Sequence, residues 1–340
     1  MKPPLSPSSP ARVAPPRVVI EQISAELDGG RFAAKATQGE RVEIEADLFA
    51  EGHDRLAARL RFRGPGEKSW TEVPMEPLVN DRWRASFVPE RPGFYEVAIE
   101  AWADPFATWQ GGLAKKVEAG LEVASELLEG AEWLHATAAR ARGADARRLE
   151  DAAARLGGGA PQAERAALGL ADDLLELASH HPDRSRATSS PVLRIEVERE
   201  RALRGAWYEM FPRSAADEPG RHGSFADVEK RLDYVAAMGF DVLYLPPIHP
   251  IGRTFRKGPN NTPVAGPEDP GSPWGIGASE GGHTAIHPQL GSFADFDRLV
   301  SSAQARGLEI ALDIAFQTSP DHPWVTQHPE WFRHRPDGTI

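Results

Sequence analysis

Three cations stand within five positions of one loop. Arg253, Arg256 and Lys257 follow the apolar run DVLYLPPI in YLPPIHPIGRTFRKGPNNT, residues 244–262. The chain around them is acidic, with 39 Lys+Arg against 50 Asp+Glu and a formal charge of −11. A cationic site in an acidic chain attracts a negative or polyhydroxy ligand locally without making the whole surface sticky. Taken alone, a loop lysine is ordinarily a solvated charge, and Arg253 and Arg256 serve equally well to brace the loop. Gln317 is a second polar feature, in ALDIAFQTSPDHPW, residues 311–324. Trp274 in the same long connection could stack on a ring, although an aromatic in a Pro/Gly loop more often packs. His249, His283 and His287 cluster in that connection, but no carboxylate stands at ligand spacing, so no metal site is expected.

The elements that position these residues read as parallel βα units. AWYEMFPRS is a short apolar strand, and SFADVEKRLDYVAAMG is a helix with Ser224 as N-cap and Asp227 in its first turn. DVLYLPPI reads as a continuous buried strand. SFADFDRLVSSAQARG repeats the helix opening and stops at Gly307, and LEIALDIAF reads as a third buried strand. GSFAD recurs at 223–227 and 291–295. The connection 249–290 is far longer than the usual ~2–6 residues, and such loops are usually functional. Three βα units open either a doubly wound sheet or a (β/α)8 barrel. No G-x-G-x-x-G follows a strand, so the nucleotide-binding version lacks support. In a barrel, chemistry sits on the loops at the C-terminal ends of the strands, where both the cationic loop and Gln317 lie.

Upstream, VVIEQISAEL, RVEIEADLFA, LAARLRFR, RWRASFVP and FYEVAIEAWA alternate with period two between turn residues. That predicts an antiparallel, immunoglobulin-like β-sandwich over 17–105. From 106 to 190 the period turns helical, predicting two or three amphipathic helices. PVLRIEVERERAL alternates again, so 191–206 is read as a returning strand and linker. Residues 1–16 are Pro- and Ser-rich and read as a disordered tail.

The chain has 340 residues, room for two or three domains. It has no cysteine, which excludes disulfides and thiol catalysis. No segment approaches the ~18 apolar residues of a membrane span, and no apolar signal core opens the chain. The acidic balance argues against nucleic acid as a partner. A cytoplasmic location is expected.

The motifs WYEMFPRS, EKRLDYVAAMGFDVLYLPPIHPIGRTFRKGPNNT, GSPWGIG, GGHTAIHPQLGS, LDIAFQTSPDHPWV and HPEWFRHRPDGTI resemble the α-1,4-glucan:maltose-1-phosphate maltosyltransferases of the retaining α-amylase superfamily. The resemblance is dense from residue 207 onward. It implies a (β/α)8 catalytic barrel beginning at 207, a helical insert that helps form a homodimer, and no cofactor. It implies maltosyl transfer from maltose 1-phosphate to an α-1,4-glucan in glycogen and α-glucan biosynthesis. By resemblance, Lys257 matches a donor-binding lysine and Gln317 a glutamine whose amide donates and accepts to a sugar. Asp313 matches a buried structural carboxylate. Hydrolytic amylases show Asn-His where this chain has Gln317-Thr318, which separates it from an ordinary amylase. A barrel needs ~250 residues, and 207–340 carries only three strands. The expectation is therefore an N-terminal fragment of a protein about twice as long. The nucleophilic Asp and acid/base Glu would lie beyond residue 340, so this chain alone is expected to be inactive. The alternatives are a non-catalytic glucan-binding or dimerisation module, or part of another α-amylase-superfamily enzyme such as a trehalose synthase or branching enzyme.

Overall fold

The computed structural model describes residues 17–340; the tail reading for 1–16 lies outside the described residues. The chain divides after Leu203 into two compact units.

The first unit opens with strands β1 (Val18–Glu21), β2 (Ala34–Thr37), β3 (Val42–Ala50), β4 (Leu56–Arg63), β5 (Thr71–Pro74), β6 (Glu76–Pro77), β7 (Arg82–Phe87) and β8 (Gly93–Ala103). Five helices follow: α1 (Pro105–Glu118), α2 (Ala124–Ala138), α3 (Gly143–Leu156), α4 (Gln162–Gly169) and α5 (Asp172–Ser179). Two strands, β9 (Thr188–Ser189) and β10 (Leu193–Glu198), complete it. One sheet has the order β1-β3-β7-β6 and the other β2-β10-β8-β4-β5, with β9 on β8. Period-two alternation sends Ile44, Ala46 and Leu48 of β3, Trp83, Ala85 and Phe87 of β7, and Tyr95, Val97 and Ile99 of β8 into one shared core. Phe62 and Phe87, from the two sheets, stack at 4.3 Å.

Two sequence expectations change here. The unit is not wholly antiparallel: β10 enters between β8 and β2 and runs parallel to β2, with Ile195 opposite Ala34. A strand that arrives after a long crossover is free of the hairpin constraint that enforces antiparallel pairing. The helical segment holds five helices instead of two or three. Gly120, at φ +70°, ends the first of them, because its left-handed backbone admits glycine readily and stops the helical ladder. A second break at Leu170–Ala171 separates α4 from α5. Trp109 anchors this layer. It is buried, its Nε1 donates to Glu126 O at 2.7 Å, and a Cβ on Gly130 would come within 2.0 Å of its ring.

The second unit carries β11 (Trp207–Glu209), α6 (Phe225–Ala237), β12 (Val242–Leu245), α7 (Phe293–Ala305), β13 (Glu309–Leu312) and α8 (Pro323–Gln327). The three strands pair in parallel in the order β11-β12-β13. Helices α6 and α7 each open with a capping box, Ser224 with Asp227 and Ser292 with Asp295. Their apolar faces bury Phe225, Val228, Leu232, Leu299 and Ala303 with Leu243 and Leu245 of β12. The third strand corrects the sequence reading. β13 is short and half-exposed, and beyond it Ile314 is 70% and Phe316 91% exposed. It is an edge strand, so only one side has a neighbour to cover it. Asp313 is accordingly half-buried instead of buried.

Candidate functional site

The long connection after β12 is built as a set of close backbone approaches. Ile276, fully buried in the middle of it, forms bridges with Ile251 on one side and Thr318 on the other. Gly252 N donates to Gly275 O at 2.8 Å, Gly277 N to Pro250 O at 3.0 Å, and Ser319 N to Ile276 O at 2.7 Å. The segment leaving β12, the middle of the connection and the segment leaving β13 are thereby tied together. Glycine is required for this approach: a Cβ on Gly252 would stand 2.1 Å from Ser319 Cβ, and one on Gly277 2.8 Å from the same atom.

A cavity of about 350 Å³ lies among these segments. Both Lys257 and Gln317, 60 positions apart in the chain, line it, with Thr254, Phe255, Arg256, Asn261, Ser272 and Thr318 among their neighbours. The three cations of the loop divide their work. Arg256 donates from Nε to Gly252 O (2.9 Å), from Nη1 to Asp269 O (3.2 Å) and from Nη2 to Ile251 O (2.7 Å). It braces the loop. Arg253 pairs with Glu280 at 2.7 Å, and its amide donates to Asp321 Oδ2 at 2.8 Å. Lys257 is exposed, and its ammonium forms no ion pair among the described residues. Gln317 is exposed at the end of β13's outgoing segment.

Asp321 anchors the site from below. Burial pushes its carboxyl up, but hydrogen bonds from the Ser319 hydroxyl and from the Arg253 and Thr254 amides outweigh that and hold it below the usual carboxylate range. Trp274 packs: its Nε1 donates to Asp313 Oδ2 at 2.6 Å, and its ring meets Phe211 edge-on. Tyr244 shares Asp313, and that hydrogen bond raises its phenol.

Two of the histidines, His283 and His322, form a hydrogen-bonded chain. Trp324 N donates to His322 Nδ1 at 3.0 Å and His283 N to His322 Nε2 at 3.2 Å, with His283 Nδ1 3.0 Å from that same Nε2. His283 Nε2–H then donates to Ala315 O at 2.6 Å. A carbonyl can only accept, so His283 carries a proton on Nε2. The chain ties the Gln317 segment to residues 281–284. His322 is 1% exposed, and burial, with His283 beside it, lowers its pKa. His249, whose ring lies 5.5 Å from that of His283, is lowered by burial. His287 is pushed down to about 4, by burial first and then by His222 and Arg256 nearby. No group of three or more His, Asp or Glu could hold a metal ion among the described residues.

Sequence reasoning did not single out Phe255, Asn261, Ser272 or Thr318 as cavity residues. The recurring glycines of IGR and GSPWGIG were the available signal, since glycines in a long loop mark close backbone approach. Among the described residues no helix is long and apolar enough to cross a membrane.

The sequence is similar to known families and proteins. The α-1,4-glucan:maltose-1-phosphate maltosyltransferase domain N/S family matches residues 16–199, and the α-amylase catalytic-domain family matches 209–335. A maltosyltransferase of that name from Myxococcus xanthus is 54% identical over 332 residues, covering 95% of this chain and 50% of its own length. One from Chlorobaculum tepidum is 48% identical over 347 residues, covering 100% of this chain and 52% of its own. The Streptomyces coelicolor maltosyltransferase 2 is 48% identical over 329 residues, covering 95% and 49%. The chain spans about half the length of these relatives.

Proposed function

The chain belongs to the α-1,4-glucan:maltose-1-phosphate maltosyltransferase family, and on that premise we propose that the protein moves maltosyl units from maltose 1-phosphate to the non-reducing end of an α-1,4-glucan, in glycogen and α-glucan synthesis. The observation that carries this reading is the cavity shared by Lys257 and Gln317. Lys257 brings an ammonium with no competing carboxylate among the described residues, suited to a phosphorylated donor. Gln317 brings an amide that can donate and accept to sugar hydroxyls.

The reaction is a double displacement. An Asp carboxylate attacks the anomeric carbon, the bond to phosphate breaks with its electron pair, and a β-maltosyl enzyme forms. A Glu then takes the proton from the acceptor 4-hydroxyl as that oxygen displaces the Asp. Retention needs the two carboxyls ~5 Å apart. Among the described residues no carboxylate lines the cavity, and the family resemblance puts the pair in the part of the relatives that this chain does not span. On this reading the chain alone binds donor without turning it over.

The finer architecture is part of the same proposal. Residues 17–105 form an immunoglobulin-like sandwich, 106–190 an insert that contributes to a homodimer, 191–206 a returning strand and linker, and 207–340 the first three βα units of a (β/α)8 barrel, in a cytoplasmic enzyme. The deciding experiment titrates maltose 1-phosphate into the chain by calorimetry. Lys257→Ala is expected to weaken binding at least tenfold, about 1.4 kcal/mol. Equal affinity in the two proteins, or no binding by the parent, sinks the donor-site reading.

A further inference from the structure

Phe255 is 83% exposed, yet it lines the Lys257–Gln317 cavity. Its backbone sits at φ +54°, the third position of a turn closed by Arg256 N donating to Arg253 O at 3.3 Å. A turn with positive φ there calls for glycine or asparagine, and a bulky residue in that region is an outlier. No packing among the described residues compensates for the strain, because so much of the side chain is in solvent.

The neighbours explain why the conformation persists. Arg253 N is held by Asp321, Thr254 O accepts from the Ser319 hydroxyl at 3.2 Å, and Arg256 is fixed by three carbonyls of the same connection. Every residue flanking Phe255 is anchored, and the ring is forced outward. Strain of this kind persists where the surroundings over-determine it, and it concentrates at ligand clamps. A phosphate has no use for an exposed benzene ring. The C–H face of a pyranose does, since it presents an apolar surface that stacks on an aromatic face.

We propose that Phe255 is a stacking platform for a glucose ring of the acceptor glucan at the mouth of this cavity, an inference that rests on the α-glucan reading above. The donor is held by charge and amide groups. The acceptor must come in from solvent, which is where the ring stands.

The test uses the full chain and two probes, maltotetraose and maltose 1-phosphate, each titrated by calorimetry. Phe255→Ala is expected to weaken maltotetraose about tenfold and to weaken maltose 1-phosphate less. Phe255→Trp should keep maltotetraose affinity. Phe255→Gly should lose it as Phe255→Ala does, while its thermal midpoint does not fall, because glycine accepts the left-handed backbone. Unchanged maltotetraose affinity in the alanine and glycine variants overturns the proposal, as does a parent chain that binds no maltotetraose. Failure of the donor reading shows separately, as unchanged maltose 1-phosphate binding in Lys257→Ala.

Discussion

Arg256 gives each of its guanidinium nitrogens to a backbone carbonyl of its own connection, so its charge holds the loop and leaves ligand contact to Lys257. The same economy of space governs the glycines. Gly252→Ala would drive a methyl to within 2.1 Å of Ser319 Cβ, and the 317–320 segment would have to retreat. Overpacking of this kind costs about 1–3 kcal/mol. We expect the variant to fold but to expose residues 315–324 to amide exchange and to lose maltose 1-phosphate affinity. Wild-type exchange in those peptides would show that the close approach is not what positions Gln317.

At the scale of elements, α6 and α7 open with the same motif in different settings, which makes each a control for the other. Asp227 is 3% exposed and receives Ser224 N (3.0 Å), the Ser224 hydroxyl (2.9 Å), both terminal nitrogens of Arg221 (2.9 and 2.8 Å) and Lys230 (3.1 Å). Arg221 above all holds its carboxyl far below the usual range. Asp295 is only half-buried, with Ser292 and Arg298 as partners; its capping bonds bring it down to about 2. Asp295→Ala should therefore cost little, since it removes only the N3 half of a capping box at a solvated helix start. Asp227→Ala should cost about 2–3 kcal/mol, because it also removes the hydrogen bonds that its buried carboxylate accepts from Arg221 and Lys230. Urea unfolding of the two variants gives the comparison; equal losses would mean that the Arg221 pair adds nothing.

Across the whole molecule, the imidazoles lowered by burial are His222, His249, His287 and His322, and all four lie in the second unit. The sign follows from their neutral folded form. Unfolded, each takes up a proton below about 6.5; folded, His287 waits until about 4. Stability is thus complete above the ordinary imidazole value and declines as pH falls from there toward 4. The capped carboxylates lose their contribution only at lower pH still, Asp295 at about 2. Hydrogen exchange at pH 7.5 and pH 5 should show protection falling in 204–340 and holding in 17–203. A uniform loss over both units would contradict this.

Local chemistry was legible in the residues themselves. The serines at 224 and 292 mark helix starts, because a cap and its partner stand three positions apart. Alternation along β3, β7 and β8 marks which side chains enter the core, because a strand's period is two. Helix breaks were less legible: Gly120 lies inside a run with helical period, and only its observed left-handed φ shows the stop. The family resemblance came from motifs, and the α-1,4-glucan:maltose-1-phosphate maltosyltransferase match agrees with it. Tertiary structure alone decided that Ile276 bridges two segments and so sets Lys257 beside Gln317 in one cavity. It alone decided that Phe255 is twisted outward, and that β13 is left half-exposed. Caps and periods depend on residues three or four positions apart. Convergence, strain and edge exposure depend on contacts between segments some 60 positions apart, which no local pattern records.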